Sequence, residues 1–294
     1  MAEKHCGTIA IVGRPNVGKS TLLNHLIGVK LSITSRKPQT TRHRISGVLT
    51  EGDTQFIFLD TPGFQGEHKN ALNKLLNRTV GNALDEADVA VMVVESLVFD
   101  ERDERVLKLL PKDKPVILAV NKVDRLEDKN RLLPFVKEME ARFAFAAMVP
   151  LSAKQRLRLD VLKQAITEFL PEQQHLFEQD DFTDKPERFL AAEFIREKVF
   201  RYVGDELPYS ASVLIEQYEQ EGRLRRIHAA IVVEKESQKA ILIGKGGEKL
   251  KQIGTEARQD LEKLLDAKIY LELWVRVKKG WADDDRMVRQ YGYE

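Results

Sequence analysis

Cysteine is almost missing from this 294-residue chain: Cys6 stands alone, and a single thiol closes no internal disulfide. No charged, apolar, small-residue leader opens the sequence, so the expected setting is the reducing cytosol and secretion is disfavoured. Long apolar runs are missing too. The run around Ala87 to Val94 falls far short of the roughly 18 to 20 residues that a spanning helix needs. That excludes a transmembrane helix and leaves surface attachment open. The histidines (His5, His25, His43, His68, His175 and His228) show no i, i+4 pairing and no Cys neighbour, so no metal site is expected from them. Ser-His-Asp spacing suited to acyl transfer is absent, as are internal repeats and low-complexity tracts. Even net charge is scarce, at +1 from 47 Lys+Arg and 46 Asp+Glu.

What is present is an ordinary folding composition, with 43% hydrophobic and 32% charged residues. The length favours two domains over one. The neutral total hides a local surplus: Arg223 to Lys251 holds eight basic residues and three acidic ones, while Glu172 to Glu187 is acidic. A basic stretch of this kind either attracts a polyanion or forms a solvated face.

The first half alternates short β-branched runs with helical patterns, as a parallel sheet with crossover helices does. Strands are expected at Thr8–Val12, Phe56–Leu59, Val89–Val94, Val116–Val120 and Met148–Leu151. Helices are expected after the first Gly-rich turn through about Ile27, then at Ala71–Leu84, Glu101–Leu110, Arg131–Phe143 and Leu159–Leu170. The implied class is α/β, a mostly parallel sheet with helices on both faces, whose ligands sit at the carboxyl ends of the strands. This domain is assigned to residues 1–171, an aperiodic linker to 172–187, and a small α+β domain to 188–294. In the last, helices are expected over 189–203 and 250–264, and strands near 211–218, 227–233 and 269–277; Ala240–Ile243 fits either a strand or a short helix.

Gly13-Arg14-Pro15-Asn16-Val17-Gly18-Lys19-Ser20 fits G-x-x-x-x-G-K-[ST] and lies between an apolar strand and a helix, with Thr21 following. Such a loop turns backbone N–H groups onto phosphates at a helix N-terminus. Lys19 is expected to reach the β and γ phosphates, and the Ser20 hydroxyl to hold Mg²⁺. Asn121-Lys122-Val123-Asp124 ends a strand where a base can be read. The Asp124 carboxylate can accept both the ring N–H and the exocyclic amine of guanine, whereas adenine presents an acceptor in place of the ring donor. Asn121 would brace neighbouring loops, and the Lys122 stem would cover the base. Asp60-Thr61-Pro62-Gly63 closes another strand, where a carboxylate linked to Mg²⁺ and a glycine N–H near a γ phosphate are expected. Between them Leu31 to Arg44 is polar and contains Pro38-Gln39-Thr40-Thr41-Arg42. Thr41, favoured over Thr40, would join the Mg²⁺ site only with a triphosphate bound.

With Ser152-Ala153-Lys154 after the last strand, these segments resemble the translation-factor-like class of P-loop GTPases across Gly7 to Leu170. The resemblance implies that the Ala153 N–H meets guanine O6. It also implies catalytic roles for Lys19, Thr41, Asp60, Gly63 and Asn16. Phe64 stands where a water-orienting Gln is expected in Ras-type enzymes, and it cannot orient water by hydrogen bonding. Relatives with an apolar residue there often carry an Asn at the Asn16 position, which in some helps hold K⁺. Slow intrinsic hydrolysis is therefore expected, assisted by K⁺ at Asn16 or by a partner.

Gly244-Lys245-Gly246-Gly247 is a G-x-x-G turn before an amphipathic helix bearing Lys249 and Lys251, and it resembles the type II KH domain, which clamps about four nucleotides of single-stranded RNA. Gly63 to Gly66 also matches G-x-x-G, inside the first domain, so context separates the two. Trp274 and Trp281 fit the core better than base stacking. The phosphate loop, Gln39-Thr40-Thr41-Arg42, Gly244 to Gly247 and Glu272 to Asp284 together resemble the Era family of bacterial GTPases. That resemblance implies a monomer that binds 16S rRNA near its 3′ end in 30S subunit biogenesis. It also implies GTP or GDP with Mg²⁺ as ligands, a cytoplasmic location and some peripheral association with the inner membrane. Two other readings remain at this stage: an RNA-binding assembly factor with a structural nucleotide, and an ATP-dependent kinase, against which Asn121 to Asp124 argues.

Overall fold

The computed structural model describes residues 3–35, 37, 40–64, 71–203, 211–284 and 286–287. These fall into two compact units.

In the first unit six strands, β1 (His5–Val12), β2 (Ile45–Glu51), β3 (Thr54–Asp60), β4 (Val89–Glu95), β5 (Val116–Asn121) and β6 (Ala147–Pro150), form one sheet in the order β2-β3-β1-β4-β5-β6. All neighbours run parallel except β2, which pairs antiparallel with β3 from Ile45 opposite Asp60 to Glu51 opposite Thr54. β2 escaped the sequence reading because Ser46 and Gly47 interrupt its apolar alternation. Val89 to Val94 is buried on both faces, as a central parallel strand requires. On one face Ala10, Val12, Leu59, Met92 and Val120 pack with α2 (Ala71–Glu86), α3 (Glu101–Leu107) and α4 (Leu132–Arg142). Strand alternation turns Ile9, Ile11 and Phe58 to the other face, where α1 (Lys19–Ile27) lies on β2 and β3, and α5 (Leu159–Thr167) on β5 and β6. Every carboxyl end of the parallel strands thus opens on one rim, the rim that carries the expected motifs.

Residues 172–184, expected as a linker, are pinned along this unit. Glu172 forms a β-bridge to His5, and Gln173 N donates to Lys4 O at 3.0 Å. The buried Gln55 Oε1 accepts from Leu176 N at 2.8 Å and Phe177 N at 3.0 Å, while its Nε2 donates to Phe177 O at 2.9 Å. Further on, Val48 N donates to Phe182 O at 2.9 Å and Thr183 Oγ1 to Ser46 O at 2.7 Å, which gives the edge strand β2 partners.

The second unit contains α6 (Glu187–Tyr202), β7 (Ser212–Glu221), β8 (Leu224–Val233), α7 (Glu236–Ile243), α8 (Glu248–Leu265) and β9 (Lys268–Val277). Its sheet has the order β7-β8-β9, antiparallel between β7 and β8 and parallel between β8 and β9. Ile253, Ala257 and Leu261 repeat every four residues along α8 and enter a core with Phe194, Ile195 and Val199 of α6 and Ile227, Ala229 and Ile231 of β8. Ala240–Ile243 proves helical, as the end of α7. Gln238 caps its start, its Oε1 accepting from Glu234 N at 2.9 Å and Lys235 N at 3.0 Å. The described part of segment 33–40 clusters with this unit: the buried Glu197 of α6 accepts from Thr34 N at 3.0 Å, and Lys37 Nζ donates to Val203 O. Among the described residues, no helix is long and apolar enough to cross a membrane.

Candidate nucleotide and RNA sites

Gly13 to Gly18 forms the turn from β1 into α1, with Asn16 at φ 65° and Gly18 at φ 107°. Only glycine suits position 18, since a Cβ would stand 2.4 Å from Asn121 Nδ2. That approach forms bonds: Asn121 Nδ2 donates to Val17 O at 2.8 Å, and its Oδ1 accepts from Lys122 N at 2.8 Å and Ala153 N at 2.9 Å. One buried amide therefore ties the Gly13 to Gly18 loop to Lys122 and Ala153, the bracing of neighbouring loops expected of Asn121. It also takes the Ala153 N–H, which was expected at guanine O6. The reason is that Ala153 is buried, and a buried N–H needs an acceptor. His25 of α1 bonds to Ala153 O. Lys154, next in sequence, is exposed.

Asp124 follows Lys122 and Val123 past the end of β5 and accepts from Ser152 Oγ at 2.5 Å, which fixes the direction of its carboxylate. Lys122 Nζ pairs with Glu95 Oε2 at 2.6 Å, and Arg14 Nη2 approaches the same oxygen at 3.6 Å. Arg14 Nε also bonds the fully buried Asp103 Oδ2 at 3.0 Å, a carboxylate that closes the capping box of α3 with Asp100. Neither Glu95 nor Asp103 stood in a motif; only their strand-end and helix-start positions hinted at them.

Lys19 lies buried in the first turn of α1, its Nζ donating to Gly13 O and Arg14 O, both at 3.0 Å. Burial pushes its pKa down to about 8, against the pull of Asp60. Ser20 Oγ donates to Asp60 Oδ2 at 2.7 Å, which leaves Thr41 as the donor across the 2.9 Å between Thr41 Oγ1 and Ser20 Oγ. Burial raises the Asp60 pKa, opposed first by the hydrogen bonds from Ser32 and Ser20. Ser20, Thr41 and Asp60 come together as expected, from α1, the segment before β2 and the end of β3. Asp60 Oδ1 has no hydrogen-bond partner among the described residues. Two hydroxyls and a carboxylate with a bare buried oxygen fit Mg²⁺, a hard cation that takes oxygen ligands. Thr40 instead turns to Ser35 Oγ at 2.9 Å and Lys37 O at 2.6 Å.

Thr61 spends its hydroxyl on Ile11 O at 2.8 Å, so it fastens β3 to β1. Pro62 is buried, and Gly63 lies against Pro15, its added Cβ meeting that ring at 2.8 Å. Phe64 packs on the apolar core. Pro38 and Gln39, within the loop expected to order with the triphosphate, and the segment 65–70 lie outside the described residues.

In the second unit Gly244, Gly246 and Gly247 all take positive φ (72°, 61° and 83°), a turn other residues would strain to make. Lys245 and Lys251 are exposed and Lys249 partly so. Beside the turn runs a groove of about 370 Å³, lined by Gly247, Lys251, Gly254, Thr255 and Arg258 of the α8 side and by Leu271 and Leu273 of β9. Gly247 and Lys251 are among the RNA-binding residues expected from the sequence; Thr255 and Arg258 are not, although the spacing 247, 251, 255, 258 sets all four on one helix face. Trp281 is fully buried, whereas Trp274 is half-buried with its ring 6.5 Å from that of His228.

A glycine-rich turn with a buried lysine, the converging oxygens of Ser20, Thr41 and Asp60, and Asp124 on the same rim, followed by a G-x-x-G unit, are the marks of a P-loop GTPase carrying a KH domain. Family models agree: one described as a 50S ribosome-binding GTPase matches residues 8–122, and one described as a KH domain matches residues 206–282. GTPase Era of Nitrosomonas eutropha is 57% identical over 288 residues, 98% of this chain and 97% of that protein. The chain belongs to the Era family of GTPases. Among solved structures, an Aquifex aeolicus Era variant bound to GDP·AlF4⁻ superposes with a TM-score of 0.95 at 40% identity, covering 98% of this chain and 99% of that one. An Era in complex with MgGDPNP and nucleotides 1506–1542 of 16S ribosomal RNA also gives 0.95 at 40% identity, covering 99% of each.

Proposed function

We propose that this chain is a GTP-hydrolysing switch that binds 16S rRNA near its 3′ end and acts in assembly of the 30S subunit. Residues 1–171 hold the nucleotide and 188–294 the RNA, with 172–187 joining them. The convergence of Ser20, Thr41 and Asp60 beside Lys19 carries the reading, because that arrangement has use only with a cation and phosphates. Gly13 to Gly18 and the start of α1 wrap the phosphates, and Lys19 exchanges its carbonyl partners for phosphate oxygens. Ser20, Thr41 and Asp60 hold Mg²⁺, which when bound neutralises phosphate charge. Asp124 accepts from guanine, and Ser152 and Asn121 hold the base-reading segments. Gly63, beside Pro15, faces the γ phosphate. Asn16 holds K⁺, which offsets the missing Gln at Phe64.

The triphosphate fixes Thr41, and with it the segment 33–40 whose Thr34 bonds Glu197, so nucleotide state reaches the KH unit. The G-x-x-G turn and its lysines clamp the RNA backbone, and the apolar wall of Leu271 and Leu273 receives bases. The rRNA assignment rests on the relative solved with that RNA. It favours the small subunit, although the family model for residues 8–122 is described by the 50S particle. A monomeric state and peripheral attachment to the inner membrane rest on the family resemblance alone, and location in the cytoplasm on that resemblance together with the lone Cys6.

Phosphate release, measured with and without a 16S 3′ fragment and in Na⁺ and K⁺ buffers, tests the proposal. A switch hydrolyses GTP slowly alone and faster with RNA. A static nucleotide site shows no RNA stimulation, and equal rates in the two salts remove the role of K⁺.

A further inference from the structure

Ser32 belongs to none of the motifs above, yet its hydroxyl donates to Asp60 Oδ2 at 2.6 Å, and both residues are fully buried. That oxygen already accepts from Ser20 at 2.7 Å, while Oδ1 has no partner among the described residues. A buried carboxylate oxygen without a donor is costly unless a ligand or water takes it. Two donors on one oxygen and none on the other orient the carboxylate rather than merely satisfy it.

Ser32 is itself held from α1. Asn24 Oδ1 accepts from Leu31 N at 2.9 Å and Ser32 N at 2.8 Å, and Asn24 Nδ2 donates to Ser32 O at 2.7 Å. Three bonds from one buried amide fix the backbone at Ser32, so α1 sets the direction of the hydroxyl. The same helix carries Ser20, which couples the two donors to Asp60 through one rigid element.

We propose that Ser32 is a positioning residue for the divalent cation: it holds Asp60 Oδ2 and so leaves Oδ1 for the cation or its bound water, with Asn24 holding Ser32 in turn. This rests on the Mg²⁺ site proposed above. Donors that orient a ligating carboxylate typically govern metal affinity by about 10- to 100-fold.

The test uses the full chain loaded with fluorescent GDP, its release followed as free Mg²⁺ is lowered with EDTA. Ser32→Ala is expected to raise the Mg²⁺ concentration at half-release on the order of tenfold, with release in excess EDTA the same as in the parent. Ser32→Thr, which keeps the hydroxyl, moves back toward the parent, and Asn24→Ala shifts in the direction of Ser32→Ala. Should Ser32→Ala fail to fold, Ser32→Cys, a weaker donor of similar size, gives the same comparison. An unmoved midpoint, or faster release at every Mg²⁺ concentration including excess EDTA, overturns the inference. Parent protein whose release ignores Mg²⁺ would instead remove the metal site itself.

Discussion

Single side chains set the chemistry here, and Asp124 is the sharpest case. A carboxylate accepts two bonds from guanine, whereas an amide offers one donor in its place. Asp124→Asn is therefore expected to weaken GDP by at least about a hundredfold and to strengthen xanthosine diphosphate, measured by competition. Glu187 at the start of α6 gives a stability counterpart. Hydrogen bonds from Arg225, at 2.8 Å and 3.3 Å, and from Tyr218 hold its pKa below the ordinary 4.5. The lowered carboxyl contributes stability fully above pH 4.5 and loses it as pH falls through the folded value. Glu187→Gln should cost about 1 kcal/mol at neutral pH, allowing for its partial exposure. The difference from the parent should vanish in acid denaturation curves.

Elements explain which parts of the site were legible. The phosphate loop, the strand-end aspartates and the G-x-x-G turn announce themselves because chain neighbours perform the chemistry. Ser32, Glu95 and Asp103 were hidden because their partners lie far along the chain: Ser32 is 28 residues from Asp60, and Asp103 is 89 from Arg14. The parallel strands were plain from continuous apolar runs, while β2, broken by Ser46 and Gly47, was not. Residues 172–184 looked aperiodic because their order comes from Gln55 and the edge of β2 rather than from their own pattern. Gln55→Ala would remove the buried amide that pairs with Leu176 N, Phe177 N and Phe177 O. The expected cost is about 2 to 3 kcal/mol, with faster proteolytic cleavage confined to 172–184.

At the scale of the whole molecule, a nearly neutral chain has the charge placement that the two proposed anion sites need, because its positive charge is concentrated locally. Lys19 is buried among carbonyls at a helix start, and Lys245, Lys249 and Lys251 cluster at the other unit's turn. Lys245→Glu combined with Lys249→Glu should weaken RNA binding and flatten its salt dependence by about two phosphate contacts, while GDP affinity stays at the parent value. Loss of both affinities would mean that the variant no longer folds.

The most direct test of the account is calorimetric titration of the intact protein, in Mg²⁺ buffer, with GDP and separately with ADP. One GDP per chain, lost on Asp124→Asn, with no measurable heat from ADP, is the predicted result. Equal binding of the two nucleotides, or no heat from GDP to a folded chain, would contradict it.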